Sequence, residues 1–182
     1  MWKLSKKRLI TKGRVVNVIV MGVDPSLTGN PVGIVIIDER EMISLHRESM
    51  PACDSWEDTL DAMVHRVEIL LALFEIQVIG YEMVWIGNKQ WAIQLAHMGG
   101  ALRALGAGSG IRVYGSLPAE IKQALTGDHK SGKGAMIKSA KLVFSQNRVN
   151  EHEADGYGAA LSAANKHRIA NLERLVQERM DE

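Results

Sequence analysis

Three acids and an imidazole stand out in this chain of 182 residues: Asp24, Glu82, His152 and Asp155. Asp24 closes the apolar run Val18-Ile19-Val20-Met21-Gly22-Val23 and leads into turn chemistry, Pro25-Ser26-Leu27-Thr28-Gly29. Glu82 closes a second run, Val78-Ile79-Gly80-Tyr81. A carboxylate at the end of an apolar strand loses hydration unless it is paired or bound to a metal. His152 and Asp155 stand three apart in a segment of helical pattern, so they share a face. Glu151 and Asp155, four apart, share one too, and spacing does not choose between Glu151 and His152. Hard oxygen donors that leave coordination positions open suit Mg²⁺ or Mn²⁺ and metal-assisted phosphoryl chemistry. The plainer readings are a turn-nucleating aspartate, a structural ion pair at Glu82, and acids that complement a helix dipole.

The elements that must position these groups follow from periodicity. Residues 16–24 and 32–37 are β-branched apolar runs that predict buried strands, and 42–49 a weaker third. Turn residues at Gly29-Asn30-Pro31 and Asp38-Glu39-Arg40 make the three a consecutive antiparallel meander. Ser55 with Asp58 is a capping-box pattern that opens a helix over 55–75, in which Leu60, Met63, Val64, Val67, Leu70, Leu71 and Phe74 form one apolar face. Gln77–Glu82 is a strand reached through a helix, hence parallel to its neighbour. A helix over 88–106, a strand over 111–115 and a helix opened by Pro118 come next. Helices at 135–145 and 152–165 complete the domain, and 166–182 keeps Ile169, Leu172, Leu175 and Val176 at helical spacing. This order describes an α/β protein with a five-stranded mixed sheet, three antiparallel strands then two parallel, flanked by helices.

Composition is that of one globular domain, 46% hydrophobic and 24% charged, with no stretch near the roughly 18 apolar residues of a membrane span. The lone Cys53 fits a reducing, cytoplasmic setting and excludes an intrachain disulfide framework. A net charge of +1 conceals two basic blocks, residues 1–14 and 119–148. Local basic blocks on a near-neutral chain are compatible with a nucleic-acid footprint, and equally with a solvated surface.

Gly127 to Lys133 looks like a phosphate loop, but Gly134 replaces the hydroxyl residue and no strand runs into it, so nucleotide binding is not expected. A lysine loop that touches DNA phosphates, with Lys130 and Lys133, fits better. Trp85 and Trp91 follow Glu82; either packs in the core or stacks on an unpaired base.

The chain resembles the RuvC family of Holliday-junction resolvases, within the ribonuclease H-like nucleases. The resemblance covers about residues 18–165. It rests on Met21-Gly22-Val23-Asp24-Pro25-Ser26, Gly80-Tyr81-Glu82, Pro118-Ala119-Glu120-Ile121-Lys122, Gly132-Lys133 and His152-Glu153-Ala154-Asp155-Gly156, taken in order. It implies that the first and fourth strands are neighbours, so that Asp24 and Glu82 lie side by side. It also implies that Asp24, Glu82, His152 and Asp155 are catalytic ligands of two Mg²⁺ ions, with Mn²⁺ able to substitute. Lys122 and Lys133 match family lysines that contact DNA, and Trp85 matches an aromatic residue that stacks at the junction centre. The expected activity is paired symmetric nicking of four-way DNA junctions by a homodimer. The alternatives are a broader nuclease acting on forks and flaps, a non-catalytic junction-binding dimer, or an actin-like ATPase, which needs two copies of the fold. Residues 1–17 form a basic arm and 166–182 a helical extension beyond the family's usual bounds.

Overall fold

The computed structural model describes residues 18–26, 30–51, 53–83 and 89–181. Five strands, β1 (Ile19–Asp24), β2 (Val32–Asp38), β3 (Ile43–Met50), β4 (Val78–Glu82) and β5 (Arg112–Ser116), form one sheet in the order β3-β2-β1-β4-β5. β1 pairs antiparallel with β2 and parallel with β4, and β5 extends the parallel half. The mixed sheet expected from the element order is therefore present, with the first and fourth strands adjacent.

Helices cover both faces. α1 (Trp56–Leu73) and α2 (Lys89–Ser109) lie on one side; α3 (Pro118–Thr126), α4 (Lys133–Val143) and α5 (Glu151–Met180) lie on the other. α1 begins where the sequence pattern places it, with the Ser55 hydroxyl accepting the Asp58 amide at 3.0 Å. α3 starts with Pro118, whose missing N–H costs nothing in a first turn. α5 is longer than the expected 152–165 and runs through residue 165 without a break. Lys166 fastens this continuation to the sheet, donating to the Gly115 carbonyl at 2.8 Å and to Glu120 at 3.0 Å.

Side chains alternate across each strand, so residues two apart share a face. On β1, Met21 and Val23 pack toward α1, while Val20 packs toward α5. On β4, Ile79 and Tyr81 face α1 and Val78 faces α5. The α5 side therefore carries Val20-Gly22-Asp24 on β1 and Val78-Gly80-Glu82 on β4, each an apolar residue, a glycine and an acid. β2 adds Gly33 below Val35 and Ile37 on the same side.

The glycines let α5 rest on bare backbone. A Cβ at Gly22 would run into the Gly156 carbonyl oxygen, one at Gly33 into the His152 carbonyl, and one at Gly80 into the Ala159 carbonyl. Gly22 and Gly80 face each other across β1 and β4. α5 answers with Gly156, Ala159, Ala160 and Ala163, all buried. Around this contact, the Tyr157 ring stacks on Phe144 at 4.4 Å and its hydroxyl meets Ser44 Oγ at 2.6 Å.

Gly22→Ala or Gly80→Ala must displace α5 and should cost about 3 kcal/mol. Gly100→Ala, in an open part of α2 with nothing within 4 Å, should instead stabilise by about 0.5–1 kcal/mol. Thermal melts of the three variants check the opposite signs; equal effects would mean that α5 is not seated on the strand glycines.

Candidate active site

β1 and β4 end side by side, because their parallel register runs through Val23 opposite Tyr81. The next residues are Asp24 and Glu82, both directed to the α5 side. Gly33, the β2 partner of Asp24, leaves room for the backbone of His152. The imidazole thus reaches Asp24, with Nδ1 at 2.9 Å from Oδ2. Asp155 follows three residues later on the same face of α5 and lines the same cleft as Glu82. All four residues singled out in the sequence are brought together.

The start of α5 is fixed by a capping box that the sequence reading passed over. Asn150 Oδ1 accepts the Glu153 amide at 2.8 Å, and Glu153 Oε2 accepts the Asn150 amide at 3.1 Å. Asn150-x-x-Glu153 was the available signal. From this start the neighbouring side chains point in different directions. Glu153 is buried and pairs with Arg47 on β3 at 2.7 Å. His152 turns to Asp24. Glu151 pairs with Lys133 at the start of α4 and stands 3.7 Å from His152 Nε2.

A cleft of about 180 Å³ opens over this cluster, lined by Glu82, Lys122, Lys133, Glu151 and Asp155 together with Pro118, Ile121 and Met136. Lys122 reaches it from α3 and Lys133 from α4. Lys130 does not line it; it is exposed in the turn before α4, where its amide donates to Asp128 Oδ1. Trp85 lies outside the described residues, as does the basic arm 1–17. Trp91 is exposed on α2 and not in the core. The turn after Gly127 feeds α4 directly, and no strand enters it, as its sequence suggested.

The electrostatics are those of an acidic cluster short of positive charge. Burial pushes the Glu82 carboxyl up to about 8, reinforced by the charges of Asp24 and Asp155 and opposed by Lys122 and His152. Burial also raises Asp155, to about 6, with Asp24 adding to the effect. Asp24 is raised by burial against the lowering hydrogen bond from His152. His152 is raised in turn, chiefly by its bond to Asp24. The cluster therefore holds protons that free carboxyls would have released near neutral pH.

Three carboxylates and an imidazole clustered at this junction are a donor set for a hard divalent cation, and the retained protons are what such a cation displaces. Among the described residues no group of three or more His, Cys, Asp or Glu side chains is already closed around a common metal position. His152 in particular spends Nδ1 on Asp24, so ligation would require the two to part or to share through Nε2. With that adjustment, the residues fit the group.

Comparison with known proteins gives a consistent likeness. Residues 20–164 match the family model described as crossover junction endodeoxyribonuclease RuvC. The RuvC of Ruminiclostridium cellulolyticum is 23% identical over 159 residues, 85% of this chain and 96% of the relative. That of Pseudarthrobacter chlorophenolicus is 29% identical over 129 residues, 69% of this chain and 67% of its own. Among solved structures, Thermus thermophilus RuvC in complex with a Holliday junction substrate superposes with a TM-score of 0.72 at 21% identity, covering 84% of this chain and 96% of that one. The yeast mitochondrial Holliday junction resolvase Ydc2 gives 0.54 at 13% identity, covering 80% and 78%. At such identities the superpositions speak for a shared fold.

The raised Glu82 carboxyl has a direct thermodynamic consequence. Its neutral form is favoured in the folded state, so ionisation destabilises the metal-free fold as pH climbs from the unfolded value of 4.5 to about 8. Glu82→Gln removes that penalty. In EDTA the variant should melt above the parent by a margin that widens through this window, toward about 4–5 kcal/mol at the upper end, and then levels off. A margin that is the same at acid and alkaline pH would show that Glu82 is not held neutral.

Proposed function

The chain belongs to the RuvC family of crossover junction endodeoxyribonucleases, and from that premise we propose that it resolves four-way DNA junctions by metal-dependent, paired symmetric nicks. The observation that carries this reading is the meeting of Asp24, Glu82, His152 and Asp155 at the end of β1 and β4.

Asp24, Glu82, His152 and Asp155 would hold two divalent cations, Mg²⁺ or Mn²⁺. These would supply a lowered pKa for the attacking water and charge neutralisation at the leaving 3′ oxygen. Asp24, between Glu82 and His152, would contribute its carboxylate to the donor set that holds the cations. His152 would have to be neutral to ligate, and Asp24 favours its protonated form in the free site, so ligation would carry the loss of that proton. Lys122 and Lys133 stand on the cleft's rim and would neutralise the phosphates on either side of the scissile bond. Glu151 holds Lys133 in place until DNA competes for it. The expected products are 5′-phosphate and 3′-hydroxyl ends.

Paired cuts need two sites related by a two-fold axis, hence a homodimer. α2 offers apolar surface for it, with Trp91 56% and Ile93 58% exposed. Residues 18–165 would be the nuclease unit, with the arm 1–17 and the end of α5 as additions. Lys130, exposed before α4, would touch DNA beyond the cleft. No described helix is long and apolar enough to cross a membrane.

Asp24→Asn removes one charge from the centre of the cluster and preserves shape. It should bind a four-way junction as the parent does and cut at least 100-fold more slowly, on the order of a lost catalytic ligand. Mapping Mg²⁺-dependent nicks on all four strands of a mobile junction is the direct test. Cleavage at the parent's rate by this variant removes the site assignment; equal cutting of forks and flaps makes the enzyme a broader branched-DNA nuclease.

A further inference from the structure

A second cleft lies on the other side of the start of α5. It has a volume of about 350 Å³ and is lined by Arg47, Lys141, Arg148, Val149, Asn150 and Glu153. Three cations and one carboxylate share it, and the carboxylate is already committed: Glu153 Oε2 accepts both Arg47 Nη1 and the Asn150 amide. Arg47 is further fixed by donating from Nε to Gln146 at 3.1 Å. Its guanidinium is thus held rigid with donors to spare. The side chains of Lys141 and Arg148 make no hydrogen bond or ion pair with any described residue. Two free cations around one anchored guanidinium leave the cleft with uncompensated positive charge.

Its position relative to the first cleft is set by two elements they share. Asn150 lines this cleft and Glu151, the next residue, lines the other. α4 carries Lys133 in the first and Lys141 in the second, eight residues and so about 12 Å apart along the helix axis. That distance is on the order of three to four base-pair steps of a duplex.

We propose that the cleft walled by Arg47, Lys141 and Arg148 is a second DNA subsite, which seats a backbone phosphodiester of the duplex arm leading away from the active site. It recognises phosphate geometry and charge, not base sequence, since the side chains it leaves unpaired are cationic donors. Arg47 supplies the preorganised donor, and Lys141 and Arg148 close on the phosphate from α4 and from the segment between α4 and α5. That this phosphate lies on the same DNA as the scissile one rests on the nuclease reading above.

The test removes the two unpaired cations. Lys141→Ala/Arg148→Ala is made in the Asp24→Asn background, so that binding is measured without turnover, and also in the parent. Arg179→Ala, an exposed cation at the far end of α5, controls for net charge. The double variant should bind a four-way junction on the order of tenfold more weakly at fixed salt. The slope of log K against log salt should fall by about 1, while kcat at saturating DNA and the melting temperature stay at the parent's values. Arg179→Ala should leave affinity and slope unchanged. Unchanged affinity or slope in the double variant overturns the subsite, as does an equal loss in the control. If Asp24→Asn still cuts at the parent's rate, the active-site assignment falls, but the salt slope still decides this cleft. If the parent binds no DNA, both fall.

Discussion

The glycines under α5 are the constraint on which the rest of this structure depends. A helix normally stands off a sheet by the length of the side chains between them. Here Gly22, Gly33 and Gly80 strip those side chains from three adjacent strands, and Gly156, Ala159 and Ala160 strip them from the helix. Backbone meets backbone, and the helix start comes down level with the ends of β1 and β4. Only then can short side chains, aspartate and histidine, bridge a helix and a strand: His152 reaches Asp24 at 2.9 Å because neither has far to go. The arrangement exchanges apolar contact for position, and the two core clusters on either side of the sheet, with Tyr157 and Phe144 at the edge of the contact, supply the packing that the seam lacks.

That position is electrostatically uncomfortable. Asp24, Glu82 and Asp155 are buried near one another, and burial, not mutual repulsion, is the larger cause of their raised affinity for protons. His152 offsets some of this for Asp24, and Lys122 some of it for Glu82, but neither brings its carboxyl to its ordinary value. Such a cluster is a poor structural ion pair and a good receptor for cations, since the same desolvation that penalises bare carboxylates strengthens their hold on a bound charge. The distinction between a structural ion pair and a site thus lies in what the cluster lacks.

Much of this could be read in the sequence. Asp24 and Glu82 stood out because each ended an apolar run, and Ser55 and Pro118 marked helix starts for local reasons that tertiary contacts did not override. The adjacency of β1 and β4 was different: it came from family resemblance, since nothing in the spacing specifies which strands pair. The glycine phase was legible and went unread. Gly22 precedes Asp24 by two residues and Gly80 precedes Glu82 by two, which places each glycine and its acid on one face of a strand. Asn150-x-x-Glu153 would likewise have fixed the start of α5, but only contacts far in sequence, Lys133 with Glu151 and Asp24 with His152, set those two apart. The Arg47–Glu153 pair, 106 residues apart, has no local signature at all. Long-range charge pairing is set by register, which only the folded sheet defines.

Lys133 is already paired with Glu151 at the cleft's rim. A phosphate that reaches this lysine finds a cation already spoken for, and must exchange one anion for another before it gains anything. A small anion with a single contact gets little from that trade. A polyanion already held elsewhere on the surface arrives at high local concentration and can drive the exchange. Were Lys133 to contact DNA as proposed, Glu151 would be a mild internal competitor for it, since both side chains are open to solvent and such a pair holds weakly in water.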